Sequence, residues 1–170
     1  FRIGINWQGN PKFKADKHRS VPLSHYLPLF AHREATFFAM QKNYGRDQIA
    51  DLPPGTNLID IGDKLDEHSG PFMESAAILH NLDLFITSDT SIAHLAGALG
   101  VPVWLIISDV ADWRWLRDCD DNPWYPTMRV FRQRQFGDWD EVLARVDKAL
   151  ARFLESQVPR AHNNAPAVDA

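Results

Sequence analysis

Residues 82–87 and 101–107 are nearly continuous apolar runs, and a stretch of small residues closed by Gly100 lies between them. A strand that is apolar at almost every position is covered on both faces. That requirement points to a layered α/β fold, in which strands alternate with helices and the sheet is mainly parallel.

The rest of the pattern agrees. Residues 2–7, 35–41, 57–62 and 128–132 read as four further strands. Residues 23–32 and 90–99 read as helices, with Gly100 placed to end the second of them. Another helix is expected from Pro71 to about Asn81, because a proline in the first turn lacks only an N–H that would be unpaired anyway. Asp138 can cap a last helix, with Glu141 three residues on, and Val142, Leu143, Val146, Leu150 and Phe153 follow at helical spacing. The expected fold is a Rossmann-like three-layer domain over residues 1–157. Residues 158–170 contain Pro159 and Pro166 and little apolar content, and are expected to be a disordered tail.

Composition removes several function classes. A net charge of -4 argues against a nucleic-acid binder, which would carry a strongly basic domain. Any anion site must then be local, made by a few cations and backbone N–H groups. Cys119 is the single cysteine, so no disulfide can form within the chain and a reducing, cytoplasmic setting is expected. Its neighbours Asp118, Asp120 and Asp121 disfavour a thiolate. No apolar run reaches the roughly 18–20 residues of a membrane span, and no signal peptide is visible. The chain begins with Phe1, directly in a strand, and reads as a fragment cut at a domain boundary. The histidines lack metal-ligand spacing. Walker A, Gly-x-Gly-x-x-Gly and Gly-x-Ser-x-Gly patterns are absent.

Three segments remain as carriers of chemistry. In the first, the apolar strand 82–87 stops and Ser88, Asp89, Thr90 and Ser91 follow, opening a helix of small residues. The first turn of such a helix offers free N–H groups and a positive dipole end, which suit a phosphate. Thr90 and Ser91 add hydroxyls, and His94 is about one turn in. The alternative is that Asp89 merely caps the helix and His94 is an ordinary satisfied histidine. The second segment is the loop 8–20, with Gly9, Asn10, Lys12, Lys14, Lys17 and Arg19. It follows a strand and should emerge at the same sheet edge, where its cations could meet phosphate. Its alternative is a solvated basic loop. The third joins Asp112 to Leu116 with Pro123 to Pro126, whose three Trp and one Tyr line a sugar pocket, form a domain interface or cover the core edge.

Asp89-Thr90-Ser91-Ile92-Ala93-His94, followed by Ala96-Gly97-Ala98-Leu99-Gly100-Val101-Pro102-Val103, resembles the donor motif of heptosyltransferase-like glycosyltransferases. In that family Gly stands where Ser91 stands here, so the room for phosphates is reduced. A closer similarity is to bacterial glycosyltransferase domains that follow tetratricopeptide repeats. It rests on Trp7-Gln8-Gly9-Asn10-Pro11, Asp16-Lys17-His18-Arg19-Ser20, Asp112-Trp113-Arg114-Trp115-Leu116, Pro123-Trp124-Tyr125-Pro126 and Phe131-Arg132-Gln133. The resemblance covers about residues 1 to 155.

The resemblance implies the C-terminal, donor-binding half of a GT-B fold, whose substrate is a nucleoside diphosphate sugar and which needs no cofactor. It implies that Lys17 and His94 act in catalysis. Gly9, Asn10, Arg19, Gln41, Asp89, Thr90 and Ser91 would bind the donor, with Gln41 toward the nucleoside. No metal is required if Lys17, Arg19 and the helix end neutralise the diphosphate. The acceptor and general base would come from an N-terminal domain outside this chain, so the fragment would be inactive alone. Two other functions compete: a nucleotide-sugar epimerase of the same shape, and a non-catalytic scaffold module beside interaction repeats. Fold alone does not separate them.

Overall fold

A computed structural model describes residues 1–117, 120 and 122–157. Cys119 and the tail 158–170 lie outside the described residues. Six strands form one sheet: β1 (Arg2–Asn6), β2 (Thr36–Ala39), β3 (Leu58–Asp60), β4 (Leu84–Ser88), β5 (Val103–Ile107) and β6 (Met128–Arg132). Their order is β3-β2-β1-β4-β5-β6 and every pairing is parallel. The expected α/β Rossmann-like architecture is therefore what the chain adopts. The strand order reverses direction between β1 and β4, and a ligand crevice opens at such a switch point, outside the carboxyl ends of the strands.

Burial explains why β4 and β5 read as unbroken apolar runs. All five residues of each are buried, because two separate cores sandwich the sheet. On one face Ile3, Ile5, Ile86, Trp104 and Phe131 pack under α3 (Trp139–Gln157). On the other, Phe85, Val103, Leu105 and Val130 pack against α2 (Ser91–Ala98) and the end of α1 (Met73–Leu79). Asp138 caps α3 by accepting from the Glu141 N–H at 3.0 Å. The Glu141 side chain turns forward to Arg145 instead of back to the cap, so only half of the expected capping box forms. Gly100 ends α2 at φ 72, with Val101 N–H bonding Ala96 O and Gly100 N–H bonding Gly97 O. This is the double hydrogen bond of a Schellman cap.

Two helix expectations are corrected. Residues 23–32 form two short 3-10 turns, Leu23–Tyr26 and Leu29–Ala31. Pro28 has no N–H and clashes with the carbonyl four residues back, so an α-helix cannot run through it. Helix α1 starts at Met73 and not at Pro71, because Phe72 sits at φ 66, outside right-handed helical space. Its first turn is capped from outside by Asp66, which accepts from Ser75 N–H at 3.0 Å and Ser75 Oγ at 2.7 Å.

Candidate functional site

The switch point is tied together by one buried network. Asn6, the last residue of β1, donates through Nδ2 to Gln41 Oε1 at 2.9 Å and accepts from Thr90 Oγ1 at 3.1 Å. Gln41 Oε1 also accepts from Trp7 N–H at 3.1 Å and Gln8 N–H at 3.0 Å. Gln41 Nε2 donates to the carbonyls of Gln8 at 2.9 Å and Tyr44 at 2.7 Å. The ends of β1 and β2 and the start of α2 are thus held at one place by side-chain amides. The Gln41 amide is fully used inside the chain, which makes it a positioning group. The Thr90 hydroxyl likewise gives its proton to Asn6.

Thr90 occupies the N-cap position of α2 with extended dihedrals (φ -135, ψ 169), and no side chain caps the helix. The capping role considered for Asp89 is not what forms. The first turn of α2 therefore has no side-chain cap beside a cleft of about 350 Å³, and its Ala93 N–H bonds back to Thr90 O at 3.1 Å. Phe13, Arg19, Asp89, Ser91, His94 and Arg114 are among the residues lining it. Loops after β1, β4 and β5 meet there, as parallel strands require. A second depression of about 290 Å³ opens on the other side of Thr90 and Ser91, toward Gly9, Asn10, Met40, Gln41 and Leu65. The two share Thr90 and Ser91.

The β1 loop is organised by a carboxylate. Asp16 is 4% exposed and accepts from Arg19 Nε at 3.0 Å and Ser20 Oγ at 2.9 Å. A Cβ on Gly9 would lie 2.4 Å from Asp16 Oδ1, so this glycine admits the loop's own anchor. Arg19 also lies over the Phe13 ring at 4.6 Å. Lys17 stands apart. It is exposed and lines a small separate depression with Phe136, Gly137 and Trp139, not the cleft at α2.

His94 is held by the loop after β5. Its ring stacks on Trp115 at 5.1 Å and 22°, and its Nδ1 lies 3.1 Å from Tyr125 Oη. Tyr125 reaches it over Gly97, where a Cβ would come within 2.5 Å of the tyrosine ring. Burial lowers the His94 pKa below its ordinary 6.5; the Asp89 charge opposes this and the Arg114 charge adds to it. His94 is therefore neutral at neutral pH. The Trp-rich segment divides in two: Trp115 is 1% exposed, whereas Trp113 is 70% exposed and packs edge-on against Trp124.

Comparison with protein-family models gives no match. Protein FlbA of Caulobacter vibrioides is 35% identical over 163 residues, which is 91% of this chain and 26% of FlbA. The chain thus spans about a quarter of that relative. Among solved structures, ADP-heptose lipopolysaccharide heptosyltransferase II of Escherichia coli superposes with a TM-score of 0.63 at 15% identity, over 91% of this chain and 46% of that one. Heptosyltransferase WaaC of the same organism, solved with ADP-2-deoxy-2-fluoro heptose, gives 0.57 at 13% identity, over 92% and 42%. These likenesses show the fold, a Rossmann-like α/β domain of the kind that heptosyltransferases contain.

Four residues that the structure brings to or beside the candidate site were not singled out from the sequence for the contacts they make: Asn6, Asp16, Arg114 and Tyr125. The signal available for Asp16 was its place in Asp16-Lys17-His18-Arg19-Ser20, where the carboxylate precedes by three and four the residues it bonds. Asn6 carried a weaker one, a polar residue closing an apolar strand. Arg114 and Tyr125 sat in quoted motifs, but their meeting with α2 depends on how a long loop folds back. Among the described residues no helix is long and apolar enough to cross a membrane.

Proposed function

We propose that this chain is the donor-binding half of a glycosyltransferase with a GT-B architecture. It would hold a nucleoside diphosphate sugar while the sugar passes to an acceptor. The observation that carries the reading is the uncapped first turn of α2, placed at the β1/β4 switch point between two depressions that share Thr90 and Ser91. A diphosphate at the shared residues would send the nucleoside into the depression beside Met40 and Leu65, with Gln41 fixing its wall. The sugar would lie in the cleft beside His94, Asp89 and Asp112, whose carboxylates accept from sugar hydroxyls.

In the reaction the bond between the anomeric carbon and the phosphate oxygen breaks, and its electron pair stays on the diphosphate. The acceptor oxygen bonds to the anomeric carbon and loses its proton to a base supplied by another domain. The leaving diphosphate gains one negative charge. The α2 N–H groups and the cleft-lining Arg19 and Arg114, which Asp16 and Asp112 hold in place, would stabilise that charge. Neutral His94 can donate one further N–H. Lys17, exposed and outside the cleft lining, would act only after the loop from 8 to 20 moves.

Calorimetry with UDP, GDP and ADP tests the reading. One nucleotide should bind selectively, and a His94→Ala, Arg114→Ala variant should bind it about tenfold more weakly or worse, a difference of about 1.4 kcal/mol. A folded chain that binds none of the three sinks it.

A further inference from the structure

Not every recess of the molecule lies at the switch point. A groove of about 970 Å³ runs between the edge strand β6 and one flank of α3. Arg145, Lys148 and Arg152 stand along α3 at spacings of three and four residues and form one wall, Arg129 lies opposite on β6, and Asp120 is the single carboxylate among the described lining residues. This concentration of cations occurs in a chain whose net charge is -4. Some of them have internal work. Arg145 grips Glu141 at 2.7 Å and 2.9 Å, and Arg134 also reaches Glu141 at 3.3 Å. Lys148 and Arg152 are exposed, and no ion pair among the described residues uses them or Arg129. Arg129 lies over the Phe131 ring at 4.6 Å, which holds it in place without neutralising it. Gln133, 2% exposed, also lines the groove, and its Nε2 has no partner among the described residues.

We infer that this groove is a docking site for an acidic peptide segment of a partner protein. The cations are spread along the helix, and Arg145 to Arg152 covers about 10 Å at the α-helical rise. A row of that length is longer than one phosphate group spans. The N-terminus of α3 is no phosphate site either, since Asp138 caps it and Asp140 and Glu141 fill its first turn. A nucleic acid would meet an acidic protein beyond the groove, where the field repels it. Aspartate and glutamate side chains spaced along an extended segment fit a row of separate cations. The inference does not depend on the glycosyltransferase reading, because the groove shares no lining residue with the cleft at α2.

The test is fluorescence anisotropy of the 170-residue chain with a labelled oligo-glutamate peptide and its oligo-glutamine counterpart. The glutamate peptide should bind and the glutamine peptide should not. A Lys148→Glu, Arg152→Glu variant with an unchanged circular dichroism spectrum should bind about tenfold more weakly or worse, and His94→Ala should bind as the parent does. The inference is overturned if the charge reversal has no effect. It is also overturned if inorganic phosphate at matched ionic strength displaces the peptide, or if labelled single-stranded DNA binds the groove more tightly.

Discussion

The loops that wall the cleft are held by different physics. The loop after β1 is a polar construction: Asp16 collects Arg19 and Ser20, and Gln41 collects the backbone of Trp7 and Gln8. The loop after β5 is an aromatic one, in which Trp115 stacks on His94 and Tyr125 lies over Gly97. Hydrogen bonds set direction, and a polar wall can stop where the backbone must bend. Ring packing sets position by volume, and it also strips water from whatever it covers. This is why the histidine sits on the aromatic side with a lowered pKa.

The largest effect expected from this contrast is at Trp115. Trp115→Ala removes a fully buried ring and should cost about 3–5 kcal/mol in denaturant unfolding. A loss below about 1 kcal/mol would mean that the loop folds without its rings. Gln41→Ala comes next. It strips the acceptor from Asn6 Nδ2, Trp7 N–H and Gln8 N–H together, and should cost about 3 kcal/mol, read in the same way. If Gln41→Ala proved harmless, the polar wall would be decoration and the aromatic wall the only scaffold.

The His94 titration sharpens the comparison without unfolding anything. Its proton NMR midpoint should fall below 6.5. A base with a depressed folded-state pKa adds stability in its neutral form. That contribution is complete above the unfolded value and is lost as pH falls through it toward the lower folded value. Trp115→Ala should move the midpoint upward by letting water in, while Asp16→Asn on the polar wall should not. Equal shifts from both would erase the distinction. The smallest effect belongs to Trp113, 70% exposed: Trp113→Ala should change stability by less than about 0.5 kcal/mol.

Much of the fold was legible residue by residue. Burial on both faces wrote β4 and β5 as apolar runs, and Gly100 marked the end of α2 by the one conformation it permits cheaply. Residues 23–32 misled because apolar spacing survives in a pair of 3-10 turns that Pro28 separates. The candidate site was legible as a place in the fold: α2 begins without a side-chain cap at the sheet's carboxyl edge, and residues of the loop from 8 to 20 line the cleft beside it. Its membership was not. Within one basic loop Arg19 lines the cleft and Lys17 does not, since Asp16 is drawn inward and the short turn Asp16–His18 leaves its neighbour outside.

By itself the sequence determined the layered parallel sheet and the helix start where an anion could sit, because burial periodicity and helix termini are local properties. Tertiary structure decided that Asn6 would join Gln41 to Thr90, that Tyr125 would hold His94, and that the basic flank of α3 would face Arg129 on the edge strand β6. Those meetings join residues distant in the chain, and no periodicity records them: a side chain's partner is set by the crossing of strands and loops that each fold for their own reasons.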